Sequence, residues 1–171
     1  MHGIFLPKKF FVTSGSGEDE NSALNAFDRA LLKGQITQCN LVNVSSILPP
    51  DAEEIDLVKI TPGTITFSVL ARQSGMYGDR IGAGIGWGRI EKKNGDGYGI
   101  VAEYHGNSSR RFIEKMLREE LEQMARIRRM KLVEWKSMVE SIEVKKRYGN
   151  VMVALVYVPW DRETGSRDVL S

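Results

Sequence analysis

Apolar and polar positions alternate in several short runs along this chain, and two longer stretches repeat at helical spacing. Phe10, Phe11 and Val12 begin a strand over 10–13. It runs into Ser14, Gly15, Ser16 and Gly17, then Glu18, Asp19 and Glu20, which reads as a flexible surface loop over 14–20. The three carboxylates would repel a phosphate, and the glycine spacing fits neither a P-loop nor a dinucleotide fingerprint. Asn21 or Ser22 then caps a helix over 23–33, closed by Gly34. Ala23, Leu24, Phe27, Ala30 and Leu31 fall on its apolar face, and Asp28 stands beside Phe27.

Leu41, Val42 and Val44 have the character of a buried strand that Pro49 and Pro50 stop, because proline offers no N–H to a ladder. Further strands are expected over 55–60, 64–72, 80–90 and 98–104, with turns at Pro62-Gly63, over 73–75 and over 92–97. The run over 80–90 alternates glycine with apolar residues (Gly82, Gly84, Gly86, Gly88), as a strand does when another layer approaches its glycine face. His105, Gly106 and Asn107 end the next strand, close after Glu103.

Ser108 or Ser109 opens the longest helix, expected to reach about Trp135, with Ile113, Leu117, Leu121, Met124 and Ile127 or Arg128 as its buried stripe. A hairpin of 138–146 and 150–159 follows, and 162–171 reads as a mobile polar tail. The order contains no repeating βαβ. The expected fold is therefore α+β, a layered αββα sandwich of mostly antiparallel sheets covered by two main helices.

Composition narrows the function classes. The 171 residues suit one domain with a core of its own, 42% hydrophobic and 27% charged, with a formal net charge of +2. The second helix is basic, but Glu114, Glu119, Glu120 and Glu122 interleave with its arginines and lysines, which reads as a solvated, ion-paired face rather than a nucleic-acid surface. The single cysteine, Cys39, excludes an internal disulfide framework and suits a reducing cytoplasm. With only His2 and His105 beside it, a zinc site is not expected. No apolar run is long enough to span a bilayer, and 1–11 lacks a signal-peptide core, so no membrane partner is expected.

Three sets of residues carry candidate chemistry. Ser45 and Ser46 sit where a strand meets a rigid exit; taken alone, two such serines are ordinary loop residues. Asp28 alone is an ordinary solvated helix charge, and Glu103 alone a rim carboxylate. Together, the helix run Asn25-Ala26-Phe27-Asp28, the stretch from Asn40 through Ser45-Ser46-Ile47-Leu48-Pro49-Pro50-Asp51-Ala52-Glu53, and Ala102-Glu103-Tyr104-His105-Gly106 resemble the pyruvoyl-dependent arginine decarboxylases. The likeness runs from Phe10 to about Trp160, and the asparagine five residues before the serine pair is among its most specific features.

That resemblance implies a single domain over 1–171, made as a proenzyme that cuts itself between Ser45 and Ser46 into a 1–45 β chain and a 46–171 α chain. Ser46 would attack the Ser45 carbonyl, and elimination and hydrolysis would leave a covalent pyruvoyl group at position 46, with no pyridoxal phosphate and no metal. The pyruvoyl ketone would form a Schiff base with the substrate amine and act as an electron sink. Asn40 would assist self-processing, and Glu103 would donate the proton to carbon, its acidity weakened by apolar neighbours. Asp28 would receive the guanidinium of L-arginine, with Leu24 and the new Ser45 carboxylate in the same pocket, and Thr37 and Cys39 completing it.

The products would be agmatine and carbon dioxide, on the way to polyamines. The chain would assemble as a homotrimer or a dimer of trimers, with sites between protomers and Glu103 acting in a neighbour's pocket. Asn43 and Thr37-Gln38 depart from the family pattern near the substrate end. The alternatives are the same chemistry on histidine or ornithine, and a non-cleaving, non-catalytic oligomeric relative.

Overall fold

A computed structural model describes residues 6–158. The elements are β1 (Lys9–Asp19), α1 (Ala23–Lys33), β2 (Asn40–Asn43), β3 (Ile47–Leu48), β4 (Glu53–Glu54), β5 (Ile65–Met76), β6 (Arg80–Glu91), β7 (Gly97–Gly106), α2 (Arg110–Ile127), β8 (Lys131–Glu143) and β9 (Tyr148–Tyr157). They form a five-stranded sheet in the order β2-β5-β9-β1-β4 and a four-stranded sheet in the order β3-β7-β6-β8. Pairing is antiparallel except for the short β1/β4 and β2/β5 ladders. The expected αββα sandwich is the observed one.

Three apolar layers hold it. Between the sheets lie Phe10, Val69, Ile81, Ile85, Val101, Val153 and Leu155. α2 covers the outer face of the four-stranded sheet through Ile113, Leu117, Leu121 and Ala125. α1 covers the other sheet, where Ala30 meets Phe11, Met152, Ala154 and Val156. No helix among the described residues is long and apolar enough to cross a membrane.

The glycine-rich runs explain how closely these layers sit. Of the segment expected to be a loop over 14–20, residues 14–19 are the second half of β1, paired from Ser14↔Val153 to Asp19↔Tyr148. Its glycines belong to a strand because α1 lies directly on them: a Cβ on Gly17 would stand 2.3 Å from the Ala26 carbonyl oxygen. The same approach selects the helix face. Ala26 and Ala30 are buried, while Leu24 is 73% exposed and Ala23 is exposed, contrary to the expected stripe. Likewise Ile113 packs on Gly82 and Gly84 of β6, which accounts for that alternation.

Other boundaries differ from expectation. Residues 73–75 stay in β5 because β9 pairs with them through Gly75↔Gly149, and the turn falls at Gly78 with φ +87°. Residues 55–60 form no strand; Ile55, Val58 and Ile60 instead pack on the α1-side layer. α2 stops at Ile127, and Arg129, at φ +55°, turns the chain into β8, from which Leu132 and Trp135 rejoin the α2-side layer. Three side-chain pairs line its surface, Arg110–Glu114, Lys115–Glu119 and Arg118–Glu122, in keeping with a solvated face. β8 and β9 are not a hairpin. β8 is the edge of one sheet and β9 the centre of the other, and the chain crosses between them at Val144, which bonds to the β5–β6 turn. The tail over 162–171, with residue 159 of the last expected strand, lies outside the described residues.

Candidate active site

The serine pair lies on another such crossing. β2 runs along the edge of the five-stranded sheet, parallel to β5, and Val44 still donates to Ser68 O at 3.0 Å. Two residues later the chain belongs to the other sheet: Val101 N donates to Ser46 O at 2.9 Å, and β3 pairs with β7 through Ile47↔Ile100 and Leu48↔Gly99. Ser45 and Ser46 are thus the span between two sheets, with Ser45 exposed and Ser46 half-buried.

The crossing is tied down on every side. Ile47 N donates to Ser45 O at 3.1 Å, a bond that closes over Ser46 alone. The Tyr157 hydroxyl donates to Ile47 O at 2.9 Å from the end of β9. Burial pushes the Tyr157 phenol up to about 12. Downstream, Ala52 N donates to Pro49 O at 3.2 Å, and Arg89 Nη1 to Pro50 O at 3.0 Å. Gly99 lets β3 lie close to β7, since a Cβ there would stand 2.6 Å from Leu48 Cβ.

Ser46 O is held by Val101 N, and Glu103 lies two residues further along β7, past the point where the chain has crossed from the other sheet. Glu103 shares the inward face of β7 with Val101, by the two-residue period of a strand. The apolar neighbours expected to enclose it do not: Ile100 and Ala102 turn to the α2 side, and the Glu103 side chain is exposed. His105, two residues on, ties this strand to β5 through Gln73 Oε1 at 3.0 Å from its Nδ1.

The remaining candidates gather elsewhere. Asp28 is exposed on α1 and accepts from Thr37 Oγ1 at 2.7 Å. Leu24, one turn earlier, shares its exposed stripe. Asn40 is exposed at the start of β2 and donates from Nδ2 to Gly63 O at 2.9 Å. An extended chain rises about 3.3 Å per residue, so Asn40 stands ~16 Å from Ser45 along β2. Thr37 lies on the same far side, and α1 rests on the outer face of the five-stranded sheet. One chain therefore places Glu103 on the strand that holds Ser46, and separately ties Asp28 to Thr37 near Leu24 and Asn40. A cleft of about 310 Å³ beside Leu48, Pro49, Trp87 and Trp135 contains none of these candidates.

Tyr157 escaped the sequence reading. Its signal is a lone phenol ending a strand that is otherwise aliphatic from Val151 to Val156, a pattern that asks for a buried hydrogen-bond partner. The Ile47 N–H carries no sequence signal, because any residue but proline supplies one.

The residues present suit a pyruvoyl group made from the chain itself: a serine hydroxyl adjoins a carbonyl on a kinked, pinned span, with Glu103 on the strand that pins it. Comparisons with known proteins agree. The "Pyruvoyl-dependent arginine decarboxylase (PvlArgDC)" family profile matches residues 9–162. A pyruvoyl-dependent arginine decarboxylase of Methanopyrus kandleri is 40% identical over 151 residues, covering 88% of this chain and 96% of that one. One from Thermococcus sibiricus is 38% identical over 157 residues, covering 90% and 97%. A probable pyruvoyl-dependent arginine decarboxylase of Chlorobaculum tepidum is 40% identical over 106 residues, covering 59% and 57%. On the match across nearly the whole of its length, the chain belongs to the pyruvoyl-dependent arginine decarboxylase family.

Proposed function

We propose that this chain is a proenzyme that cuts itself between Ser45 and Ser46, and that the resulting 1–45 and 46–171 chains together decarboxylate L-arginine to agmatine and carbon dioxide, a step toward polyamines. The observation that carries this reading is the pinned Ser45-Ser46 crossing, held by Val101 two residues before Glu103, in a chain of this family.

The pyruvoyl carbonyl at position 46 supplies an electron sink when the substrate carboxylate leaves. The chain's own groups do the rest. Glu103 delivers a proton to the substrate α-carbon from the strand whose Val101 holds Ser46 O. Asp28 receives the guanidinium, whose planar fork of donors matches a carboxylate and selects arginine over uncharged side chains. Thr37 holds one Asp28 oxygen and so sets its orientation. Leu24 covers the aliphatic stem of the substrate, and the Ser45 carboxylate borders the site.

The separation of the two groups supports a homo-oligomer, a trimer or a dimer of trimers, in which Asp28 and Leu24 of one protomer complete the Ser46 site of another. Leu24 and Leu32 flank Asp28 along α1, and Val42, Ile47 and Ile65 add exposed apolar surface around both groups, as a subunit interface requires. In such an assembly Asn40 assists processing from the neighbour, since its own β2 holds it ~16 Å from Ser45. The single cysteine supports a cytoplasmic location.

The test is the mass of the purified protein together with its products. Two fragments meeting between Ser45 and Ser46, the larger reactive to hydrazine and blocked to Edman degradation, are expected, with agmatine released from arginine. Ser46→Ala is expected to remain one chain and release none. A wild-type chain that stays whole after long incubation, or one that acts on histidine or ornithine in preference to arginine, overturns the reading.

A further inference from the structure

The bond between Ile47 N and Ser45 O spans one residue and bends the chain at Ser46 as a γ-turn does. Its acceptor is the carbonyl oxygen of the peptide between the two serines. When a nucleophile adds to that carbonyl, negative charge collects on this oxygen, and a donor already aimed at it stabilises the addition. We infer that the Ile47 N–H is the oxyanion donor of self-cleavage, with Tyr157 as the residue that positions it. This inference rests on the self-cleavage proposed above.

The geometry that aims the donor is set on both sides of it. Ser46 C=O and Ile47 N–H belong to one planar trans peptide, so they point in opposite directions. Val101 N–H draws Ser46 O toward β7 at 2.9 Å, which turns Ile47 N–H away from β7 and onto Ser45 O. The next peptide is held by the Tyr157 hydroxyl on Ile47 O at 2.9 Å. Tyr157 is 6% exposed and belongs to the central strand of its sheet, so this anchor is fixed by the core rather than by the surface. Asn40, ~16 Å away along β2, cannot reach the same oxygen within one chain.

The donor acts in the first step. Ser46 Oγ bonds to Ser45 C, and its proton passes to the Ser46 nitrogen as the Ser45–Ser46 C–N bond breaks, leaving an ester and a free amine. The Cα proton of residue 46 is then lost as the Cβ–Oγ bond breaks and the Ser45 carboxylate departs, leaving dehydroalanine. Its imine tautomer takes up water and releases ammonia, which leaves the ketone. No oxidant or reductant is consumed.

The test follows cleavage of freshly made full-length protein by mass spectrometry, with and without neutral hydroxylamine. Hydroxylamine captures the ester as a Ser45 hydroxamate and leaves Ser46 intact, so it reports ester formation separately from elimination. Ile47→Pro removes the N–H and is expected to slow cleavage about 100-fold. Tyr157→Phe removes only the hydroxyl, leaves the backbone unrestricted, and is expected to slow cleavage about 10-fold with its thermal transition still cooperative. Hydroxylamine is expected to restore neither. Should Ile47→Pro fail to fold, Tyr157→Phe decides the matter. Cleavage of either folded variant at the wild-type rate overturns the inference, as does restoration by hydroxylamine, which would put the delay after the ester. A wild-type chain that never cleaves removes the parent reading itself, an outcome visible in the control.

Discussion

At one end of β2 the chain is gripped; at the other its side chains stand open. The exit of β2 is crossed by bonds from Ile47, Val101 and Tyr157, and by the Pro49 turn and Arg89 beyond it. The start of β2 has exposed Asn40, and near it exposed Asp28 and Leu24, tied only to nearby groups. On the function proposed above, the difference tracks two tasks. Breaking a peptide bond within the chain needs one backbone geometry held before anything binds. Receiving a substrate, or another protomer, needs groups that are not yet satisfied. A single chain holds both kinds of surface and cannot bring them together, because β2 is a straight spacer between them.

Three changes break or sharpen this contrast. The largest effect is expected from Glu103→Gln at the gripped end. It should cleave like wild type yet lose turnover by about 10²–10⁴-fold, because the amide cannot give up a proton. Paired measurement of cleavage by mass and carbon dioxide release separates the two, and normal turnover would refute the proton-donor role. At the open end, Asp28→Asn should also cleave, with kcat/KM for arginine reduced about 10–100-fold through the lost charge-assisted pairing. Co-expressed Ser46→Ala and Asp28→Asn chains should together exceed the activity of either alone, since a mixed oligomer rebuilds some complete sites; activity no greater than the mean of the two would place each site within one protomer.

The smallest effect concerns stability. Folding raises the Tyr157 phenol from 10.0 to about 12, so the folded state favours the neutral form. This contribution, about 2–3 kcal/mol, is whole below pH 10 and is lost as pH rises from 10 to 12. Chemical denaturation across that window should show a steeper loss for wild type than for Tyr157→Phe. Parallel curves would mean that Tyr157 does not stay neutral in the fold.

Much of this was legible in the chain. The helix over 23–33 was readable because Ser22 and Gly34 bracket it with local capping chemistry. The glycine alternation in β6 announced close approach of another layer before that layer was known to be α2. The stretch 14–20 misled because serine and glycine are turn residues by local preference, whereas Ala26 and Ala30 of α1 press on Gly17 and Gly15 and make small size the deciding property. The end of α2 misled because Leu132 and Trp135 are apolar at positions that also suit a helix, and only pairing with β6 recruits them to a strand.

The site divides in the same way. Sequence by itself nominated the candidates, Ser45, Ser46, Asn40, Asp28 and Glu103, by their place in a family pattern. These are properties of side chains and of short spacings along the backbone. Only the tertiary structure decided which of them meet. Glu103 shares a strand with Val101, which holds Ser46 O, and Tyr157 reaches Ile47 across more than a hundred residues because β9 is the centre of the opposite sheet. Asp28 stays apart because a sheet and an extended strand intervene. Such distances are set by long-range pairing, which no local run of residues encodes.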